Sequence, residues 1–430
     1  MKASSEGLTT GIWRSALLAV VAGLVAMTAV AAAGLAFAGA ADLPPGAFPR
    51  VVAAVVVAAA GGTVRVVGDA GFLGGAEGTI SAMPLSVSLV GAVVTGMLFL
   101  RPLHHHAVAG ARELAARALP LTVCWLVGVG LLAWFGRRSF VVSGAVPGSS
   151  EPEGELLQGV LGGAGDGGGG PTVGFRAEVW PSLGWGLLWI GGLLTVALLM
   201  SRRAPLPPSL IRFHTALRPA ASAVVALFLG WALVGALAGV VVAVTRGHAA
   251  ATLALVLLGV PNLAWAALTV GFGGAWEGRA QGPFGLPVPS ALDRVLRAPD
   301  LSRVDLASLS GQAGWVWWLV PAAVVSVCAA GLLMVARSPA GVPAYRHGLR
   351  FAVALALGTL VVCLVSGVEA RVGLSLLGIG DTGDAGALGA VVRFVPSLAR
   401  TVGVAAVAGL VGGVVGAWCG RVGRPRRGPR

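Results

Sequence analysis

Eight long apolar runs constrain this chain more than any other feature. Each is close to the length of about 20 residues that an α-helix needs to cross a bilayer, and none contains Asp or Glu within its core. The runs cover residues roughly 15–38, 84–100, 120–136, 182–200, 220–244, 315–336, 351–368 and 400–419. The sequence therefore predicts an all-α polytopic membrane protein with about eight transmembrane helices.

The composition excludes the other broad classes. Hydrophobic residues make up 56% of the 430 residues, charged residues make up 11%, and the mean hydropathy is +0.88. A soluble domain has about a quarter of its residues charged, and a disordered chain needs low hydrophobicity. The first run resembles a signal peptide ending near Ala36-Phe37-Ala38, but it is longer than a signal core. We therefore expect it to be an uncleaved span.

Two further apolar segments are interrupted. Residues 51–67 contain Gly61-Gly62 and Arg65, and residues 249–275 contain Pro261-Asn262. Proline inside a helix removes a backbone hydrogen bond and kinks the chain. Hydropathy alone does not decide whether these segments cross the membrane or enter and leave on one side.

Charge favours the second alternative. Four connections are basic, and cytoplasmic loops are rich in Lys and Arg. These connections are residues 101–119, 201–218, 337–350 and 421–430. If all four lie inside together with the N-terminus, an even number of crossings separates them. Residues 51–67 and 249–275 are then re-entrant segments on the outer side. We expect a plasma-membrane protein with cytoplasmic N- and C-termini, and with its net charge of +13 concentrated inside.

The predicted elements occur in the same order twice, which suggests an internal duplication. The first membrane repeat covers residues 1–218 and the second covers residues 219–430. Gly-Gly-Ala-Glu-Gly at 74–78 is similar to Gly-Gly-Ala-Trp-Glu-Gly at 273–278, and Pro-Ser-Leu occurs at both 181 and 396. Both repeats begin inside, so we expect parallel repeats related by an axis along the membrane normal.

The best candidate site is a polar cavity between the two interrupted segments. Asn262 is a strongly polar residue in an apolar segment, and Pro261 frees a backbone carbonyl nearby. Glu77 and Glu277 follow the two segments at similar positions. Transporters build substrate sites from such segments. The alternative is that Asn262 caps a half-helix and that the glutamates are ordinary surface residues.

Other motifs do not indicate catalysis. His104, His105 and His106 are adjacent and would point in different directions on a helix, so they do not readily share a metal ion. Residues 162–170 form a glycine-rich stretch without the ending of a phosphate-binding loop. There is no Ser-His-Asp set, carboxylate pair or nucleotide motif. We expect no enzyme activity, no cofactor, no metal and no nucleic acid partner.

Glycines at short spacing predict a helix-packing face near the C-terminus. Gly409, Gly413 and Gly416 are the main residues of this face, and small residues let helices approach closely. The face either packs within the chain or joins two copies into a homo-oligomer.

Several segments together resemble the streptophobe family, very hydrophobic membrane proteins of streptomycetes and related bacteria. They are PLSVSLVGAVV at 84–94, SRRAPLP at 201–207, LLGVPNLAW at 257–265, AWEG at 275–278 and GLSLLG at 373–378. The resemblance implies residence in the plasma membrane and no established activity. The segment around Pro261 is also similar to one in PerM-type actinobacterial proteins linked to cell division.

Two function classes remain. The first is a transporter or lipid-handling protein with a cavity between the repeats. The alternative is a membrane scaffold that binds partners in the cell envelope or during cell division. In both classes we expect membrane lipids as partners, with anionic headgroups at the Arg-rich loops, since each Arg near the surface contributes about 1 kcal/mol.

Overall fold

The fold is taken from a computed structural model. The structure describes residues 2–43, 46–69, 75–101, 111–141, 172–201, 208–247, 249–281, 296, 302–339, 341–375 and 390–422. Within these residues the chain forms eleven α-helices. They are α1 (Lys2–Phe37), α2 (Phe48–Ala59), α3 (Leu85–Leu100), α4 (Ala111–Phe135), α5 (Val179–Met200), α6 (Pro208–Thr245), α7 (Ala249–Gly271), α8 (Leu306–Gln312), α9 (Leu319–Ala336), α10 (Ala344–Ser366) and α11 (Leu398–Val422).

Eight helices are long and apolar enough to cross a membrane, as expected for a multi-pass membrane protein. Seven of them overlap predicted spans. The predicted span 84–100 forms α3, which has 16 residues. A helix of this length is about 24 Å long, shorter than a bilayer core of about 30 Å. The eighth long helix is α7, which the sequence analysis treats as an interrupted segment.

An eight-stranded antiparallel sheet accompanies the helices, and the hydropathy pattern does not predict it. The strands are β1 (Val64–Asp69), β2 (Gly75–Ala82), β3 (Arg138–Val141), β4 (Thr172–Ala177), β5 (Trp276–Gln281), β6 (Ser302–Val304), β7 (Val368–Ser375) and β8 (Ala390–Pro396). Their order in the sheet is β3-β4-β1-β2-β7-β8-β5-β6. The all-α prediction therefore describes the helical part and omits this layer.

The sheet lies at one end of the helices. Helices α3, α5 and α11 each begin two or three residues after a strand, and α4 and α10 each end two or three residues before one. The four basic connections follow or precede the opposite ends of these helices. The described helix ends that adjoin the basic connections are therefore remote from the sheet.

The two halves of the chain place their strands in the sheet in the same order. The first half supplies β3, β4, β1 and β2, and the second supplies β7, β8, β5 and β6. All neighbours are antiparallel, so β1 and β5 run in the same direction, as do the other three corresponding pairs. The two halves therefore contribute their strands to the sheet in the same order and with the same directions.

The predicted division of the chain at residue 219 falls inside a helix. α6 is continuous from Pro208 to Thr245, and Pro219 lies within it. Like α1, α6 comes before the first strand of its half. The second half of the structure therefore begins no later than Pro208.

Each half has its own apolar core, and the two cores interlock. The first contains Trp125 and Met27, both fully buried, and the second contains Phe351. Leu85, at the start of α3, belongs to the second core, whereas Leu258 of α7 packs against the first. The halves therefore share packing as well as a sheet.

Exposed tryptophans mark both ends of the helices. Trp180 and Trp318 lie at the sheet end, with 84% and 75% of their surface exposed. Trp13 and Trp418 lie toward the opposite end and are also exposed. Tryptophan concentrates at the two interfaces of a bilayer, so these positions fit a membrane that surrounds the helices between them.

Candidate functional site

Asn262 lies where the two halves meet. Its Nδ2 donates a hydrogen bond of 3.0 Å to the carbonyl of Met83, and its Oδ1 accepts one of 3.3 Å from the amide of Leu85. Nearby, Ser86 Oγ donates to the carbonyl of Val256 at 2.9 Å. Asn262 therefore binds the backbone at the start of α3 in the other half, and it does not cap a half-helix of its own segment.

The predicted interruption at Pro261 is absent from the helix. α7 continues through Pro261 as one helix of 23 residues. It has the largest buried share among the eight long helices, since α1, α3, α6 and α9 all contact it. Trp265 Nε1 donates to the carbonyl of Phe228 at 2.8 Å. These contacts stabilise the helix although Pro261 removes one of its backbone hydrogen bonds.

The structure does not bring the two glutamates to Asn262 or to each other. Glu77 lies in β2 and Glu277 in β5, and β7 and β8 separate these strands. The side chain of Glu277 is exposed, and that of Glu77 lies outside the described side chains. Of the four predicted site residues, only Pro261 and Asn262 are neighbours.

α2 and α7 end in the same way, and the sequence analysis misses this correspondence. Gly61 and Gly273 adopt positive φ values of 92° and 99°. The following residues, Gly62 and Gly274, each donate their amide to the carbonyl five residues earlier, which is the Schellman arrangement of a helix end. β1 or β5 begins two residues later. The structural partner of Gly-Gly at 273 is thus the pair at 61, and not the pair at 74.

This correspondence also reassigns the neighbouring residues. Pro49 and Pro261 both lie twelve residues before the positive-φ glycine. Arg65 and Glu277 both lie four residues after it, so Glu277 corresponds to Arg65 and not to Glu77. Sequence identity over a few glycines aligned the wrong residues.

Two cavities among the described residues lie away from α7. One of about 260 Å³ is at the end remote from the sheet, between α9, α10 and α11, and its lining includes Val335, His347 and Ala417. His347, which the sequence analysis does not single out, is 4% exposed. A smaller cavity of about 20 Å³ lies between α1, α3 and α4 near Arg117. Neither is lined by α7 or by a strand.

Two ion pairs lie on or beside the sheet. Arg65 Nε lies 2.6 Å from Glu178 Oε1, and Arg393 Nε lies 3.2 Å from Glu369 Oε1. All four side chains are at least 31% exposed. Exposed ion pairs contribute about 0–1 kcal/mol. These pairs therefore form a solvated surface and do not resemble a buried reactive site.

The glycine face of α11 is used within the chain. A Cβ on Gly409 or Gly413 would lie 2.8 Å from a backbone atom of α10, and one on Gly416 would lie 2.5 Å from Gly331 of α9. Each glycine permits close packing against a helix of the same chain. The prediction that this face joins two copies is therefore not supported.

The polar contacts of Asn262 have a structural role. The amide of Asn262 uses both its oxygen and its nitrogen on backbone groups of Met83 and Leu85. Within the described residues, no three His, Cys, Asp or Glu side chains are grouped so that they could hold a metal ion. His104, His105, His106 and residues 162–170 lie outside the described residues.

Comparison with known proteins adds no relative. No family model matches this sequence, and no curated protein or solved structure matches it. Fold and contacts alone define the class, a multi-pass membrane protein with an eight-stranded sheet at one end of its helices.

Proposed function

We propose that this chain is a plasma-membrane scaffold whose helices hold a rigid sheet on the outer surface. The observation that carries the proposal is the ladder between β2 and β7, which joins the two halves through eight residue pairs, from Gly75–Ser375 to Ala82–Val368. Alternating access requires one repeat to move against the other. A continuous ladder opposes such movement, so the geometry favours a scaffold over the transporter that the sequence analysis ranks first.

The contacts of Asn262 support the same proposal. Its two hydrogen bonds connect α7 of the second half to the start of α3 in the first half. They commit one donor and one acceptor position of the amide to backbone groups of the protein. The cavity near His347 lies within one half, so it offers no path between the halves.

The distribution of charge supports an orientation with both termini in the cytoplasm. The described helix ends that adjoin the basic connections lie remote from the sheet, and cytoplasmic loops are rich in Arg. The sheet is then extracytoplasmic, and the Arg-rich ends face anionic lipid headgroups.

Contacts at the ends of α7 support a path in which this continuous helix begins and ends on the sheet side without crossing the bilayer. Ser222 of α6 bonds to Arg337 at the end of α9, and Trp231 bonds to Ser326, so α6 runs antiparallel to α9 toward the sheet. The start of α7 follows directly. Its end, Gly271, packs against Leu319 at the start of α9. Both ends of α7 are then on the sheet side.

The corresponding segment α2 follows the same path. Gly23 and Met27 of α1 pack against Thr95 and Gly91 of α3, so α1 is antiparallel to α3. It therefore runs toward the sheet, and α2 starts there. At its other end, Gly61 contacts Trp185 in the second turn of α5. We propose that α2 and α7 are corresponding re-entrant helices of a duplicated unit, supported by the common strand order and by their common Schellman ends.

Family membership and the absence of catalysis remain parts of the proposal. The resemblance to streptophobe proteins stays a prediction, and so does a role in the cell envelope or in cell division. The packed contact between the halves and the surface position of the charged pairs are compatible with a protein that binds partners without transforming them.

Spin-label distances test the scaffold against the transporter. One pair of labels replaces Trp13 and Trp418, remote from the sheet, and a second pair replaces Trp134 and Trp318, near it. All four side chains are exposed. The four native cysteines, at 124, 328, 363 and 419, are first replaced by serine or alanine.

The scaffold predicts one narrow distance distribution for each pair in liposomes, unchanged by a pH or sodium gradient. A transporter that alternates between two states would shorten one pair while lengthening the other. Two exchanging populations of this kind would contradict the proposal.

A further inference from the structure

The internal junction between β2 and β7 has counterparts at the two edges of the described sheet. In strand order, β6 of the second half corresponds to β2, and β3 of the first half corresponds to β7. Among the described strands, β6 pairs only with β5 and β3 pairs only with β4. One edge strand, β6, therefore corresponds to β2. The other edge strand, β3, corresponds to β7, which is the strand that β2 pairs with inside the chain.

The register identifies which residues correspond at the first edge. Ile80 of β2 pairs with Val64, the first residue of β1. Val304 of β6 pairs with Trp276, the first residue of β5. Val304 thus has the position in its half that Ile80 has in the first, and Arg303 corresponds to Thr79.

The same reasoning applies to the second edge. Ala370 of β7 pairs with Val392, which pairs with Ala280, the fifth residue of β5. Phe140 of β3 pairs with Val173, and Val173 pairs with Gly68, the fifth residue of β1. Phe140 thus corresponds to Ala370, and the adjacent residue Val141 corresponds to Arg371.

We propose that a second copy of this chain adds its β3 to β6 of the first copy and continues the sheet. Within one chain, Ile80 faces Ala370 and Thr79 faces Arg371. In the assembly, Val304 of one copy faces Phe140 of the next, and Arg303 faces Val141. The first of these pairs is apolar on both sides.

The strand directions make this contact compatible with a membrane. β3 runs in the direction of β7 and β6 in that of β2, because all neighbouring strands are antiparallel. Adding β3 of a second copy antiparallel to β6 therefore keeps the strands of that copy in the directions they have in the first. Such a contact is heterologous, because two different edges meet, and each added copy leaves one edge of each type at the ends of the assembly. We expect an open row of copies.

The short length of β6 sets the strength of the contact. It has three residues, and natural sheets keep edge strands short to limit association. The row should therefore form where the membrane concentrates and aligns the copies, and dissociate on dilution in detergent. This inference rests on strand order and register, and it does not require the scaffold function.

Cysteine cross-linking in native membranes tests the predicted register. In a cysteine-free background, Arg303→Cys and Val141→Cys are placed in separate, differently tagged chains and oxidised. Directly opposite residues have Cβ atoms about 4.5–5.5 Å apart, close to disulfide geometry. We expect a mixed dimer containing both tags.

Two controls distinguish register from random collision. Ser139→Cys with Arg303→Cys is two residues out of register, and it should cross-link roughly tenfold less because its Cβ atoms are farther apart. Thr79→Cys with Arg371→Cys in one chain has the corresponding internal geometry. It shows that oxidation reaches the sheet and that the variant chain is folded.

A single chain with both Arg303→Cys and Val141→Cys tests whether the assembly is open. β3 and β6 stand at the two ends of the strand order and do not pair with each other among the described strands, so we expect no internal disulfide. We expect a ladder of dimers, trimers and larger species. If the internal pair oxidises while the edge pair gives only monomers, or if cross-linking stops at the dimer, the proposal is overturned.

Discussion

The side-chain amide of Asn262 donates a 3.0 Å hydrogen bond to the carbonyl of Met83, 179 residues earlier in the chain. This contact connects the middle of a long helix in one half to the residue that follows β2 in the other. It acts beside the β2–β7 ladder, so the two halves are joined in both the helical layer and the sheet.

Replacing this residue should destabilise the junction. In Asn262→Ala, the carbonyl of Met83 and the amide of Leu85 lose their partner, and a buried unsatisfied group costs about 1–3 kcal/mol. The midpoint of thermal unfolding in detergent, followed by circular dichroism, should fall. Val361→Ala is the control, because Val361 is 60% exposed on α10, and it should change the midpoint little. Equal midpoints for both variants would contradict a structural role for Asn262.

The close approach of α11 to α9 gives a second prediction. In Gly416→Ala, the added Cβ would lie 2.5 Å from the carbonyl carbon of Gly331, so the helices must separate. We expect a loss of about 1–3 kcal/mol, as for overpacking in other cores. Gly403→Ala, on the same helix, meets nothing within 4 Å and should be neutral or stabilising by up to about 1 kcal/mol. Urea or detergent unfolding of the two variants measures the difference, and a neutral Gly416→Ala would refute the packing.

Trp125 provides a test of the first core. Its ring is fully buried, stacks on Trp189 with centroids 4.3 Å apart, and donates Nε1 to the carbonyl of Gly186 at 3.1 Å. Trp125→Phe keeps an aromatic ring but loses the hydrogen bond, which should cost about 1 kcal/mol. Trp125→Ala should cost about 3–5 kcal/mol.

The control for this pair is on the same helix. Trp134 is 70% exposed, so Trp134→Phe should leave the unfolding midpoint nearly unchanged. If Trp125→Ala unfolds no earlier than Trp134→Phe, then the packing of α4 against α5 is not as described.

Reporter fusions test the proposed path through the membrane. Fusions at residues 160, 247 and 300 should report an outer location, and a fusion at residue 345 should report the cytoplasm. Residue 247 joins α6 to α7, so it decides the re-entrant proposal most directly. An outer location for 247 with a cytoplasmic location for 300 would mean that α7 crosses the membrane completely.

The helices were predictable because their signal is local. A run of about 20 apolar residues without acids is sufficient to indicate a span, and the structure has long helices at seven of the eight predicted places. α3 is the exception, because it ends at Leu100 after 16 residues and apolar composition does not reveal where its helix begins.

The sheet was not predicted because strands that pair in it are far apart in the sequence. β7 has the alternating pattern Val-Glu-Ala-Arg-Val-Gly-Leu-Ser, which is typical of a half-buried strand. Its neighbour β2 precedes it by almost 300 residues. Alternation can indicate a strand, but it does not identify which strand pairs with it.

The sequence singles out Asn262 as an unusual polar residue, and the structure shows that it connects separate segments. Glu77 and Glu277 were grouped with it because short glycine-rich sequences near them are similar. In the structure, the similarity between the two segments lies instead in the positive φ of Gly61 and Gly273. A positive φ at one glycine cannot be recognised from the sequence of a chain that contains 67 glycines.

The ladder between β2 and β7 also has a consequence for biosynthesis. β2 leaves the ribosome long before β7, and at about 5–20 residues per second the delay is roughly 15–60 seconds. During this time the edge of β2 is an unpaired template for other chains. We expect insertion of the first half to require either protection of that edge or rapid completion of the second half, so slowed translation should increase misassembly.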